Sequence, residues 1–159
     1  MTAAFRNPGG AAIGQLSDQP HLARCVVLYF RMWCDGPEGQ TAVWNDLASG
    51  LGKVQGREAL ALLENLFDLC ARYRRRPLMR HAVDCQCLGA DEACLAHFVT
   101  TAVEGDHQDA MLIATLLVRT DIAPILAPIA ADLGCALKRM LMRHRPTRNH
   151  HAATPVTLH

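Results

Sequence analysis

Between His81 and His97 the chain gathers Cys85, Cys87 and Cys94, three of its seven cysteines. Thiolate and imidazole are the ligands that a borderline-soft ion such as zinc prefers, and a closed tetrahedral site needs four of them. Cys85, Cys87, Cys94 and His97 supply that number, with His81 as a substitute. Their order, C-x-C and then C-x-x-H, is compatible with chelation but lacks the paired C-x-x-C knuckles that mark a zinc ribbon. The competing reading makes Cys85 or Cys87 a small buried hydrophobe and His97 a solvated surface residue. A thiol-based enzyme would use the same residues differently, with a cysteine activated by His81, His97 or the positive end of a helix opening near Asp91. Cys94 lies in that first turn, but Asp91 and Glu92 beside it favour the protonated thiol, and there is no C-x-x-C redox pair.

Where these groups point depends on the helix that carries Cys94 and His97. Successive side chains on a helix are rotated by about 100 degrees. Leu95, Phe98, Val99 and Ala102 define its buried direction, so His97 is expected to face away from the core and Cys94 to lie at its flank. A site using both needs the Cys85–Cys87 segment to fold back across that surface.

Other groups offer less. Arg72, Arg74, Arg75, Arg76 and Arg80 around Tyr73 and Pro77 form the densest basic patch, yet basic side chains at a helix C-terminus already have a role beside its exposed carbonyls. Nucleic-acid binding is not expected without a recognition helix or a basic body. The arginines of residues 143–159 leave the rest of the chain slightly acidic, within a net charge of +1. Asp106 and Asp109 read as a helix start rather than an acid–base pair, and Asp132 has no local relation to Asp84. His144, His150, His151 and His159 read as solvated groups. There is no G-x-S-x-G elbow, phosphate loop, dinucleotide fingerprint, H-E-x-x-H helix or paired Glu-x-x-His, so no catalytic residue is assigned.

The elements around these residues are helical. Of 159 residues, 50% are hydrophobic and 5% aromatic, with Ala and Leu dominant, which favours helix and gives enough core for one domain. Residues 1–16 read as a flexible arm, 17–143 as the domain and 144–159 as a disordered tail. Leu22, Cys25, Val26, Tyr29, Met32 and Trp33 trace a first helix that ends at Gly36-Pro37. Val43, Trp44, Leu47 and Leu51 trace a second, bounded by Gly50 and Gly52. Leu60, Leu63, Leu66, Phe67, Cys70 and Tyr73 give a broad stripe and the expected central helix. Residues 78–89 read as one helical stretch ending in a turn, and Asp91 as the cap of the next helix. Asp106 opens another. Pro124 and Pro128 predict a short turn and a last helix restarting near Pro128. The fold class is therefore all-α, an irregular bundle of five to six mostly antiparallel amphipathic helices.

Seven cysteines, an odd number, and no apolar leader or span point to a cytoplasmic chain with no membrane partner. The Leu60–Tyr73 and Ala110–Val118 segments are apolar around more than one face and must be central or covered. The functional expectation is a non-catalytic regulatory or scaffolding protein that acts through protein contacts, its partner being another protein or a second copy in a homodimer. The alternative is a zinc-binding protein using the cysteine–histidine cluster.

Overall fold

Apolar residues at three- and four-residue spacing build six α-helices in a computed structural model that describes residues 8–144. They are α1 (His21–Cys34), α2 (Pro37–Leu51), α3 (Lys53–Arg72), α4 (Ala90–Val103), α5 (His107–Leu117) and α6 (Ala123–Arg143). Residues 1–7 of the expected arm and 145–159 of the expected tail lie outside the described residues.

The boundaries follow from local chemistry. Pro37 opens α2, where its missing N–H has no intrahelical partner to lose. Gly52 separates α2 from α3 at φ +84, a left-handed conformation that a side chain would strain. The Asp106 carboxylate accepts the Asp109 N–H at 3.0 Å and caps α5 as expected. The last helix departs from expectation, since α6 is continuous from Ala123 and carries Pro128 inside it. Both of its prolines lie on the exposed side, so the Pro124 carbonyl that loses its donor is open to water.

Helix packs on helix around a core that includes Val27, Leu47, Leu63, Leu66, Phe98, Val99, Leu126 and Leu137. The centre is formed by α4 and α6 rather than by α3. Helix α6 touches the other five helices, and α4 packs on α1, α5 and α6, whereas the chief partners of α3 are α2 and α6. An edge-to-face contact of Phe30 with Phe67, centroids 5.5 Å apart, ties α1 to α3.

Two further expectations are corrected. Residues 8–16, assigned to the flexible arm, are built into the fold: a 3-10 turn (Pro8–Gly10) leads into β1 (Ala12–Gln15), and Leu16 is buried. Residues 78–89 form no helix; they run as turns and extended chain into β2 (Cys87–Gly89). The two strands pair antiparallel, Ala12 with Gly89, Gly14 with Leu88 and Gln15 with Cys87, with an irregularity between Ala12 and Gly14. Among the described residues, no helix is long and apolar enough to cross a membrane.

Candidate functional site

Arg31 lies on α1 in register with Ala23 and Val27, four residues apart along the buried stripe, and it is wholly buried. Glu92, in the first turn of α4, shares the stripe of Leu95 and Val99 and is wholly buried too. The two meet in a fork, Nε to Oε1 at 2.7 Å and Nη2 to Oε2 at 2.9 Å. The remaining guanidinium hydrogens go to backbone carbonyls: Nη1 to Ala82 at 3.1 Å and Cys85 at 2.7 Å, and Nη2 to Cys87 at 2.6 Å. All five donors of the guanidinium are used. Glu92 in turn accepts the backbone N–H of His81 at Oε1 and of Gly89 at Oε2, each at 2.9 Å. Burial pushes the Glu92 carboxyl up, but the hydrogen bonds from Arg31, Gly89 and His81 outweigh it and hold the group below its usual range. The hydrogen bond to Glu92 also raises Arg31 above its ordinary value, against the cost of burial.

A second carboxylate works one residue earlier. Asp91, expected as the helix cap, instead has Gly89 at that position and accepts a fork from Arg76, Nη1 to Oδ2 at 2.8 Å and Nη2 to Oδ1 at 2.5 Å. It also takes the Met79 N–H at 2.7 Å. A Cβ on Gly9 would overlap the Asp91 carboxylate, so only glycine lets the N-terminal turn close over this pair. Asp91 and Glu92 thus pin the 76–89 segment to α4 by charge-assisted bonds rather than by helix formation. Among the described residues, no buried side-chain nitrogen or oxygen lacks a hydrogen-bond partner.

Of the residues proposed from sequence as zinc ligands, His81, Cys85 and Cys87 lie in and beside the segment before β2, and Cys94 and His97 lie on α4. Cys85 lies in the turn before β2 and Cys87 on it, both partly exposed. His81 sits beside Cys85, Nδ1 to Sγ 3.6 Å, and its Nε2 meets the Gly10 carbonyl at 3.0 Å. Cys94 is partly buried on α4 toward Cys70, Arg76 and Asp91; burial first and then Asp91 push its thiol up, and Arg76 opposes them. His97 is exposed, as the helical wheel predicts, and borders a shallow cleft with Gln19, Pro20, Thr100 and Lys138. Among the described residues, no three His, Cys, Asp or Glu side chains group to hold a metal ion.

Most of the basic patch is engaged within the fold. Arg72 pairs with Asp68, Arg75 bonds the Val118 carbonyl and Thr120, Arg76 holds Asp91, and Arg80 bonds the Cys34 carbonyl. A cleft of about 640 Å³ lies between the ends of α1 and α3, with Phe30, Trp33, Phe67 and Leu78 among its walls and Glu64, Asp68 and Arg74 at its polar positions. On the other side, Leu112 and Leu116 of α5 are 65% and 64% exposed, and Ile125 in the first turns of α6 is 54% exposed.

Arg31 and Glu92 are not singled out by any motif in the sequence. Their signal is a full charge placed on the apolar stripe of a helix, Arg31 in line with Val27 and Glu92 with Leu95 and Val99. Comparison of the chain with protein-family models, curated proteins and solved structures finds no match.

Proposed function

We propose that this chain is a non-catalytic regulatory or scaffolding protein that works through protein contacts, with the outer side of α5 and the start of α6 as the contact surface and a second copy of the chain as its occupant. The observation that carries this reading is the exposure of Leu112, Leu116 and Ile125, large aliphatic side chains left to solvent on consecutive helices. Leu112 and Leu116 are one helical turn apart and so share a face. From Ala110 to Val118 the chain has no ionisable side chain, so nothing on that stretch of α5 carries a charge that pairing would desolvate. A net charge of +1 sets little repulsion between copies. A twofold axis between Leu112 and Leu116 makes the face self-complementary, the arrangement of an isologous dimer.

The buried network supports the non-catalytic part of the reading. Arg31, Glu92 and Asp91 are the buried charges among the described residues, and their bonds go to backbone groups, between Arg31 and Glu92, and from Arg76 to Asp91. The same reading favours the cytoplasm, where structural disulfides are rare and an odd number of cysteines needs no pairing. Sedimentation velocity across a wide range of protein concentration tests it. A monomer–dimer equilibrium that shifts with concentration is expected, and a monomer at every concentration contradicts it.

A further inference from the structure

The His81–Cys85 contact has the parts of an activated nucleophile. The Gly10 carbonyl can only accept, so the His81 Nε2 facing it at 3.0 Å carries the ring proton. A ring with its one proton on Nε2 presents Nδ1 as an acceptor, and Cys85 Sγ lies 3.6 Å from it, within reach of a thiol hydrogen bond. Nucleophile, base and a third group orienting the base are thus in series. The Arg31 guanidinium, bonded to the carbonyls of both Cys85 and Cys87, adds a fixed positive charge near the two sulfurs. Cys87 follows one residue after Gln86, and the neighbouring Cys85 holds its thiol above the usual range, with burial adding and Arg31 opposing. Of the two thiols, only Cys85 has an imidazole nitrogen as a hydrogen-bond partner among the described residues. Both sulfurs are partly exposed, so a small molecule in solution can reach them.

We propose that His81 and Cys85 form a thiol–imidazole pair that exchanges with disulfides of small thiols, and that Cys87 is its resolving thiol. In the first step His81 Nδ1 takes the Cys85 proton, and the Cys85 sulfur attacks one sulfur of the small disulfide. A mixed disulfide forms, and the departing thiolate takes the proton back from the imidazolium and leaves as a free thiol. In the second step the Cys87 sulfur attacks Cys85 Sγ, the bond to the small thiol breaks, and that thiol leaves with the Cys87 proton. The two cysteines are oxidised to the Cys85–Cys87 disulfide, and one disulfide molecule is reduced to two thiols. Because Cys87 pairs with Gln15 and its carbonyl holds Arg31, the new bond forms where β1, β2 and α1 meet.

The exposed cysteines Cys34 and Cys135 serve as internal controls, since neither has a histidine partner among the described hydrogen bonds. The reduced full chain is incubated with glutathione disulfide, and each cysteine is followed by peptide mapping. Cys85 is expected to react about 10-fold faster than Cys34 and Cys135, and the end product to be the Cys85–Cys87 disulfide. Cys87→Ser is expected to accumulate glutathione on Cys85, and His81→Gln to slow that step at least about 10-fold. Faster reaction at Cys34 or Cys135 in the unmodified chain overturns the proposal without recourse to any variant. A folded Cys87→Ser protein with no adduct on Cys85, or a folded His81→Gln protein that reacts at the original rate, overturns it as well.

Discussion

At the first turn of α4, two carboxylates and two guanidiniums are taken up by the fold itself, while on the outer side of α5 leucines are left to the solvent. The first region holds the residues that attract attention by type. Glu92 and Arg31 are wholly buried, and their hydrogen bonds organise a segment with no helix of its own. The second region holds ordinary helix formers, and there the distinctive property is position: Leu112 and Leu116 are more than half exposed. A buried charge carries a desolvation cost that only a complete set of partners offsets. An exposed leucine costs little, and it contributes only when a partner covers it. Chemical rarity therefore marks the architecture of this protein, and plain apolar surface marks the face proposed for contact.

The contrast can be broken most severely at Arg31. Arg31→Met leaves Glu92 buried without its cation and the carbonyls of Ala82, Cys85 and Cys87 without donors, so it is expected to destabilise the protein by about 3–5 kcal/mol. Urea unfolding measures this. The double variant Arg31→Met/Glu92→Leu is expected to stay well below wild type, because the His81 and Gly89 N–H groups lose their acceptor too. A double variant as stable as wild type would show that apolar packing replaces the network.

Asp91→Asn comes next, at about 1–3 kcal/mol, because it weakens the Arg76 fork and the bond to Met79 N–H. The effect is smaller because Arg76 is 43% exposed and its guanidinium returns to water. Faster amide exchange at Met79 should accompany the loss of stability.

The Glu92 carboxylate also predicts a pH dependence. Its folded value is lowered from the ordinary 4.5, so the unfolded chain binds more protons on acidification. The stability tied to its charge is complete above 4.5 and is lost as pH falls through the folded value. The thermal midpoint of the wild type should drop over that range, and Glu92→Gln, already destabilised, should drop less. The smallest effect is expected at Asp68→Ala, which removes an exposed pair with Arg72 on α3 and should change stability by no more than about 0.5 kcal/mol.

The helices were legible because each carries its own period. Leu63, Leu66, Phe67 and Cys70 are buried on α3 as their spacing implies, and the wheel that set His97 outside the core agrees with its exposure. The 78–89 segment departs from the helix its sequence predicts because its conformation is imposed from outside. Arg31 comes from far up the chain and Glu92 from the helix that follows, and neither pairing leaves a trace in local periodicity. Strand β1 was hidden for a related reason: all four of its residues are exposed, so its sequence has no apolar alternation, and β2 alone gives it a partner. The zinc candidates are neighbours in sequence within residues 81–97. Helix geometry then turned Cys94 toward Cys70 and His97 toward solvent, and the 81–87 turn kept Cys85 with His81.

The division of labour between the two regions is tested most directly by Leu112→Glu/Leu116→Glu, with sedimentation and urea unfolding measured on the same preparation. The account predicts a monomer at concentrations where it expects the wild type to dimerise. It also predicts that unfolding of the monomer stays within about 0.5 kcal/mol of the wild-type monomer, since the charges enter solvent and not the core. A variant that still dimerises, or one that loses its fold, contradicts it.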